Sequence, residues 1–311
     1  TVNSYARGGA AGRGVFAGGY HGGSGALTHM GYVQISTFGN SIYFGDLSTA
    51  QRSADGHGNE TRGIISAGEG DNDLMQYITI AAGGNAINFG DLIQDRGYTT
   101  CAGSSTRKLT AGGWINPASR NEIEYVEIST LGDALDFGDL ITARYGMSGM
   151  NSPTRAVFTG GYKSPGLIRT TESVIIASKG DAIDFGDARH AHAYPAAGSS
   201  SVRGVTAGGT ISPGVAGDAV EYVTLSSSGS AVDFGNLTEN KRFVKGCSTN
   251  TRMVTFGGSN AVPSPNASLT NTIDYITIAS TGNAQDFGDT TGRNVFAAAA
   301  LSDSHGGLGG F

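Results

Sequence analysis

The strongest constraint on the fold is a unit of about 48 residues that recurs along the chain. Each copy starts with an arginine and a short apolar run, which ends in Gly-Gly in five of the six copies. The arginines that open the copies are Arg13, Arg62, Arg107, Arg155, Arg203 and Arg252. Because six copies of one unit fill nearly all of the 311 residues, the sequence predicts a repeat architecture.

Every copy contains four segments that are typical of short β-strands. After the apolar run comes an alternating segment such as residues 123–128, rich in β-branched residues and tyrosine. A turn with glycine next to Asn, Asp or Ser follows, and then a Phe-Gly-Asp or Phe-Gly-Asn segment. The fourth segment consists of small residues and opens near an arginine or histidine. These side chains are Arg52, Arg96, Arg144, His192, Arg242 and Arg293.

Four antiparallel strands repeated six times predict an all-β, six-bladed β-propeller of four-stranded blades. A β-solenoid and a tandem array of separate modules are the alternatives, but solenoid repeats are usually shorter. A sheet of one repeat could hardly bury enough apolar surface to fold alone, which favours one closed ring. The 51 glycines agree with this prediction, because glycine destabilises helices by about 1 kcal/mol per site. Residues 1–311 are therefore predicted to form a single propeller domain.

The ring can close in two ways. Residues 293–300 follow the sixth Phe-Gly-Asp segment and could enter the first blade, which would join the two chain ends. Residues 4–12 are a shorter competitor for the same place. We expect the C-terminal strand to close the ring, because its length matches the other small-residue segments.

Composition and charge exclude several function classes. The formal net charge is −6 and basic residues form no run, which argues against a nucleic-acid surface. No apolar stretch suits a membrane span, and the N-terminal residues show no signal peptide. Cys101 and Cys247 are predicted on opposite sides of the ring, too far apart for a disulfide. No cofactor is indicated.

The four segments resemble the kelch propeller repeat: an apolar run with Gly-Gly, a strand with tyrosine, and an arginine before a small-residue strand. The resemblance covers all six copies, but the chain has a single tryptophan, Trp114, which is predicted to lie in a loop. It implies that the small-residue strand is innermost (strand A), followed by the Gly-Gly strand (B), the tyrosine strand (C) and the Phe-Gly-Asp strand (D). The sequence motifs of the repeat are also similar to those of repeats in marine phage virion proteins.

Two recurring charged patterns are predicted to be structural. Asp-Phe-Gly occurs in kinases, but here no phosphate-binding loop or His-Arg-Asp motif accompanies it. Asp139 with Arg144, and Asp91 with Arg96, are predicted to pair across the turn into strand A. The ring of B-strand arginines could bind an anion, but its regular recurrence favours hydrogen bonds to a neighbouring blade.

The variable B–C loops are the predicted binding surface, because antiparallel order places them with the D–A turns on one face, and loops on rigid scaffolds commonly carry binding residues. Aromatic side chains with polar neighbours there would suit sugar stacking or protein packing. The candidates are Tyr20, His21, Trp114, Asn116, Tyr162 and Lys163. Drift in unconstrained surface loops is the alternative. Asp71 and Asp73 are weak candidates for a loop calcium site, without EF-hand spacing.

These observations predict a non-enzymatic structural or binding protein. The phage-like repeat favours a virion-associated role in a tail, fibre or capsid decoration, with other virion proteins or a host-surface glycan or protein as partners. Nucleic acid and membrane insertion are not expected, and a homo-oligomer is compatible with the sequence. The alternatives are a glycan-binding lectin or adhesin, and a propeller enzyme that acts on polysaccharides.

Overall fold

The computed structural model describes residues 12–304, except residues 67, 70–71, 213–214, 261–268 and 292–294. Within these ranges the chain forms 28 β-strands and no helix, as the period-two patterns predict. The strands form six antiparallel blades that are arranged in a ring. The predicted six-bladed β-propeller is confirmed.

The first three blades contain strands β1 to β12. Blade 1 includes β1 (Arg13–Ala17), β2 (Tyr20–His21), β3 (Gly25–Gln34) and β4 (Ile42–Gln51). Blade 2 consists of β5 (Asp55–Gly58), β6 (Arg62–Ser66), β7 (Leu74–Thr79) and β8 (Ile87–Asp91). Blade 3 consists of β9 (Thr100–Gly103), β10 (Arg107–Ile115), β11 (Ala118–Glu127) and β12 (Leu135–Asp139).

The remaining strands build blades 4 to 6 and return to blade 1. Blade 4 contains β13 (Ser148–Asn151), β14 (Arg155–Thr159), β15 (Tyr162–Lys163), β16 (Gly166–Leu167), β17 (Thr170–Ile175) and β18 (Ile183–Asp187). Blade 5 contains β19 (Ala196–Ser199), β20 (Arg203–Ala207), β21 (Thr210–Ser212), β22 (Val215–Thr224) and β23 (Val232–Lys241). Blade 6 contains β24 (Lys245–Ser248), β25 (Arg252–Phe256), β26 (Thr272–Thr277) and β27 (Gln285–Asp289), and β28 (Ala299–Ser302) follows.

The C-terminal strand closes the ring, as predicted, although β28 begins at Ala299, near the end of the predicted segment 293–300. β28 pairs antiparallel with β1, with Gly14 opposite Ser302 and Ala17 opposite Ala299, and so supplies strand A of blade 1. The N–H of Gly12 also donates to the carboxylate of Asp303 at 3.1 Å, which fixes the two ends of the described chain together. The competing segment, residues 4–12, lies outside the described residues apart from Gly12.

The apolar core lies between neighbouring blades. In one cluster Leu109 and Phe137 of blade 3 pack with Phe158 and Val174 of blade 4. The phenylalanine of every Phe-Gly-Asp or Phe-Gly-Asn segment is buried, and in five blades it meets the C-strand tyrosine edge-on. These segments therefore join the blades, which is the structural role predicted for them.

The arginines that open the B strands link each blade to the next. Arg107 donates to the carbonyl of Ile176 at 2.8 Å, and Arg252 completes the ring by donating to Ile35 at 2.8 Å. All six make the equivalent bond, to the carbonyl just after strand C of the next blade. Five of them also lie over a C-strand tyrosine ring, 4.4–4.6 Å from its centroid. Their predicted structural role is confirmed.

The predicted pairing of Asp139 with Arg144 is wrong. The guanidinium of Arg144 is buried and lies 3.3 Å from the carboxylate of Glu172, on strand C of the following blade. Arg96 likewise lies 2.9 Å from Glu124 rather than pairing with Asp91. The linker arginines reach inward, whereas Asp139 and Asp91 are exposed on the outer strands.

The predicted alignment of the six linkers with one another is also wrong by one residue in two of them. The positions equivalent to Arg96 and Arg144 are held by Gln51 and Lys241, not by the neighbouring Arg52 and Arg242. Lys241 lies 2.8 Å from Asp274, which matches Glu124 and Glu172 in place. In the last linker the equivalent position is held by Val295, two residues after the predicted Arg293, which lies outside the described residues.

The innermost strands leave little space along the ring axis. Asp55 of blade 2 and Lys245 of blade 6 lie 3.3 Å apart inside the channel, beside strand A of blade 1. The remaining channel cavity has a volume of about 20 Å³. Cys101 and Cys247 lie on strands β9 and β24, buried and free of disulfides, as predicted. The innermost strands thus leave only a small cavity at this point of the axis.

Candidate binding face

The B–C loops and the D–A linkers lie together on one face of the ring, as predicted. The first residue after each Gly-Gly pairs through its main chain with a linker residue. Tyr162 pairs with Tyr145 in this way, and Tyr20 pairs with Phe296. Loop and linker side chains are therefore positioned side by side by the scaffold.

One residue in each linker adopts the left-handed conformation, with φ between 53° and 65°. These residues are Ser53, Tyr98, Gly146, Tyr194, Phe243 and Ala297. Their main chains bond to one another around the axis: Gly146 N–H donates to Tyr98 at 3.0 Å, and Tyr194 N–H donates to Gly146 at 2.6 Å. This conformation is uncommon for residues other than glycine, and here the hydrogen bonds of the ring hold it.

Tyr194 lies at the centre of an aromatic cluster above the channel. Its ring stacks on Phe243 at a centroid distance of 4.2 Å and meets Tyr98 edge-on at 5.8 Å. A Cβ at Gly146 would lie 2.4 Å from the Tyr194 ring, so the glycine makes room for it. The cluster closes this end of the channel.

The cluster extends outward in two directions. Tyr145 contacts Trp114 at 5.2 Å and Tyr162 at 5.3 Å between centroids. In the other direction Phe243 contacts Phe296 at 5.7 Å, and Phe296 contacts Tyr20 at 5.3 Å. We call this cluster the aromatic face. Phe296 is buried in it, and the other members are partly exposed: Tyr20, Tyr98, Trp114, Tyr145, Tyr162, Tyr194 and Phe243. Contiguous aromatic surface of this kind is typical of interaction sites.

A cavity of about 560 Å³ opens on the aromatic face, beside blades 2 to 4. Its volume lies within the range of small-molecule sites, which join apolar walls with a few polar groups. The aromatic walls come from Tyr98, Trp114, Tyr145 and Tyr194. The other lining residues are Glu69, Asp95, Arg96, Gly97, Ile115 and Asn116.

Glu69 is held in place at the cavity wall. Its carboxylate accepts hydrogen bonds from the Arg52 guanidinium at 2.9 Å and from the Tyr98 hydroxyl at 2.6 Å. Burial and the bond to Glu69 raise the pKa of Tyr98 well above its ordinary value, and burial raises that of Tyr194. Both phenols therefore remain neutral at physiological pH.

Four of the six predicted binding residues reach the aromatic face or its cavity. Tyr20, Trp114 and Tyr162 belong to the face, and Asn116 lines the cavity beside Trp114. His21 lies in β2 and Lys163 in β15, and neither lines the cavity.

Trp114 does not lie in a loop as predicted. It belongs to β10, because the β10–β11 pairing shifts register near Gly113 and then continues as a longer hairpin. In that hairpin Trp114 is opposite Ser119. A strand, rather than an unconstrained loop, therefore presents the indole to the cavity.

The weak calcium prediction gains no support. Asp71 lies outside the described residues, and Asp73 precedes β7. Among the residues that the structure describes, no three His, Cys, Asp or Glu side chains form a metal-binding group. The same residues contain no apolar helix of membrane-spanning length.

The sequence interpretation overlooked the linker aromatic residues. Tyr98, Tyr145, Tyr194, Phe243 and Phe296 each lie just before a small-residue strand, so five of six linkers carry an aromatic side chain. This recurrence was the available signal. Glu69, in the B–C loop of blade 2, had no such signal, because its role depends on contacts with Arg52 and Tyr98 from two different linkers.

Beneath the face, a linker histidine and a glutamate on strand C of the following blade form a titratable pair. His192 and Glu221 are buried with 3.7 Å between Nδ1 and a carboxylate oxygen. Burial lowers the pKa of His192 to about 4 and raises the pKa of Glu221 to about 7. The imidazole is therefore neutral at neutral pH, and the contact is not an ion pair there.

Comparison with known proteins identifies a fold and no family. No protein-family model matches the chain, and no curated protein sequence matches it. Among solved structures the chain is similar to one described as the structure of YjhT, with a TM-score of 0.68 and 12% identity. The likeness covers 82% of this chain and 88% of that one. At that identity it supports the β-propeller fold alone.

Proposed function

We propose that this protein is a non-enzymatic glycan-binding propeller, a virion-associated protein that contacts the host surface through its aromatic face. The cavity beside Trp114 is the proposed site. A host glycan is the proposed ligand, and neighbouring virion subunits are proposed to contact other surfaces of the ring.

The observation that carries the proposal is the cavity itself. Sugar rings present C–H faces that pack on aromatic rings, and hydroxyl groups that bond to carboxylates and amides. Trp114 and Tyr145 offer the first kind of surface, while Asp95 and Asn116 offer the second within the same 560 Å³. A volume of this size accommodates a disaccharide.

The arrangement favours one site over six. A lectin with a site in every blade would repeat its aromatic platform in every blade. Here the aromatic residues form one continuous cluster across the axis, and the cavity lies at one side of it. We therefore expect one glycan per chain.

Binding is tested with a glycan array and then by titration calorimetry on the best ligand. Trp114→Ala should lower its affinity at least tenfold, because the stacking surface is lost. The matched control is Phe38→Ala, since Phe38 is 60% exposed in a C–D turn on the opposite face. An array without hits, or equal losses in both variants, would contradict the glycan site.

The virion placement has a separate test. Mass spectrometry of purified particles should detect the protein in stoichiometric amounts after a high-salt wash. Recovery only as a free soluble protein, with none in the particles, would contradict this part of the proposal while leaving glycan binding open to its own test.

A further inference from the structure

We infer that the cavity beside Trp114 selects a ligand with a positively charged ammonium group, which on a glycan is an amino sugar without its acetyl group. The inference rests on the proposed glycan site and assigns the chemical class of its ligand. It follows from the charges and the aromatic walls of the cavity.

Among the described residues, Arg96 is the only basic one that lines the cavity, and it is already engaged. Arg96 is buried, with its guanidinium 2.9 Å from Glu124, and it also donates to the carbonyls of Glu122 and Thr110. It cannot also bind an acidic ligand without leaving Glu124 buried and unpaired, which is strongly unfavourable. Carboxylated, sulfated and phosphorylated sugars therefore find no free cation among the lining residues.

Two acidic side chains line the cavity within the described part of the chain, and they differ in whether their charge is balanced. The charge of Glu69 is balanced by Arg52 at 2.9 Å. Asp95 is exposed and makes no ion pair within the described parts of the chain. The cavity therefore carries an uncompensated negative charge at Asp95, which favours a cationic ligand.

The aromatic walls favour the same ligand class. The faces of tryptophan and tyrosine rings attract cations, by about 0.5–2 kcal/mol. Trp114, Tyr98 and Tyr145 bring three such rings to one cavity. An ammonium group can thus contact a ring face and Asp95 together, whereas a neutral hydroxyl gains only the hydrogen bond.

The test is titration calorimetry with three disaccharides of similar size: the β-1,4-linked dimers of glucosamine, N-acetylglucosamine and glucose. The glucosamine dimer should bind about threefold to tenfold more tightly than the glucose dimer near pH 6. This advantage should disappear near pH 9.5, where the sugar amines are neutral, while the affinity for the glucose dimer stays constant.

Asp95→Asn should lower the affinity for the glucosamine dimer about threefold to tenfold and leave that for the glucose dimer nearly unchanged. The matched control is Asp136→Asn, which removes an exposed carboxylate from the outer strand of blade 3. A selective loss in the Asp95 variant supports the inference, and an equal effect of both substitutions overturns it.

The remaining outcomes separate the inference from the proposed function. If the glucose or acetylated dimer binds as tightly as the glucosamine dimer, glycan binding stands and the ammonium selectivity is overturned. If no disaccharide binds but choline does, the ammonium selectivity stands and the glycan proposal is wrong. If neither class binds, both are overturned.

Discussion

Five of the six blade junctions contain a buried polar side chain below the aromatic face, and the sixth is apolar. Arg96, Arg144, His192 and Lys241 each face a carboxylate on strand C of the following blade, while Gln51 holds the same position in the first linker. Where blade 6 meets blade 1, the equivalent linker residue is Val295.

In the apolar junction, a different pair of residues fills the space that the polar side chains occupy elsewhere. Gly31 stands where the other C strands have Glu, Asp or Gln, and the Phe16 ring fills the space above it. A buried ion pair requires both partners in good geometry, whereas apolar packing requires only complementary volume. The junction between blades 6 and 1 is therefore the one that has no polar side chain at these two positions.

The largest expected effect comes from breaking one polar junction. Arg144→Met should lower the free energy of unfolding by about 3–5 kcal/mol, because Glu172 remains buried without its partner. Urea unfolding at neutral pH measures this. The double variant Arg144→Met with Glu172→Leu should recover most of the loss, and no recovery would show that the pair is not the cause.

A smaller effect is expected from crowding the apolar junction. At Gly31 a new Cβ would lie 2.3 Å from the Phe16 ring, so Gly31→Ala should lower the free energy of unfolding by about 1–3 kcal/mol. The matched control is Gly166→Ala, where no atom lies within 4 Å of the added Cβ. Equal thermal shifts in the two variants would contradict tight packing at this junction.

The His192 junction should show a pH dependence that is hidden in the native protein. Between about pH 4.5 and 6.5 the unfolded chain protonates His192 and the folded chain protonates Glu221, so the proton numbers are equal. The contributions of this pair to the pH dependence of unfolding therefore cancel.

Single substitutions should expose the two opposite slopes. In His192→Gln, only the raised pKa of Glu221 contributes to the pH dependence. The free energy of unfolding should therefore fall by about 1–3 kcal/mol as the pH rises from about 4.5 to 7. In Glu221→Gln, only the lowered pKa of His192 contributes. The free energy of unfolding should therefore rise as the pH rises from about 4 to 6.5. Urea unfolding across this pH range measures both slopes, with the double variant as control. Slopes of the same sign in the two single variants would contradict the assignment of the two shifted pKa values.

The smallest effect concerns the left-handed linker residues on either side of blade 1. Ala297 and Ser53 both have left-handed φ, at 54° and 58°. Glycine at either position should raise the free energy of unfolding by about 0.5 kcal/mol, because relieved strain exceeds the added entropy of the unfolded chain. Matched thermal unfolding curves measure both. A marked gain at Ala297 alone would show that the closing junction is more strained than its neighbour.

The architecture could be predicted because the same short motifs recur at a regular spacing along the chain. The Gly-Gly runs and the Phe-Gly-Asp segments identified strands B and D, and the equal length of the last small-residue segment identified the closing strand. The ring of arginines could also be interpreted from sequence, because residues that recur with the scaffold usually serve it.

The candidate site was predicted only in part, for geometric reasons. Tyr20, Trp114 and Tyr162 stood out because they follow the Gly-Gly runs, but Tyr194 lies over Gly146 of a different linker. Two of the polar junctions were missed because Arg52 and Arg242 matched the repeat pattern, while the adjacent Gln51 and Lys241 occupy the inward position. A slip of one residue exchanges inward and outward side chains.

The closure of blade 1 places both ends of the described chain on the same side of the ring. The N-terminal end of β1 and the C-terminal end of β28 are adjacent, with Gly14 opposite Ser302, at the edge opposite the B–C loops. Gly12 and Ser304, the first and last described residues, therefore both lie on the side away from the aromatic face. A force applied at these two residues would separate β1 from β28 one hydrogen bond at a time.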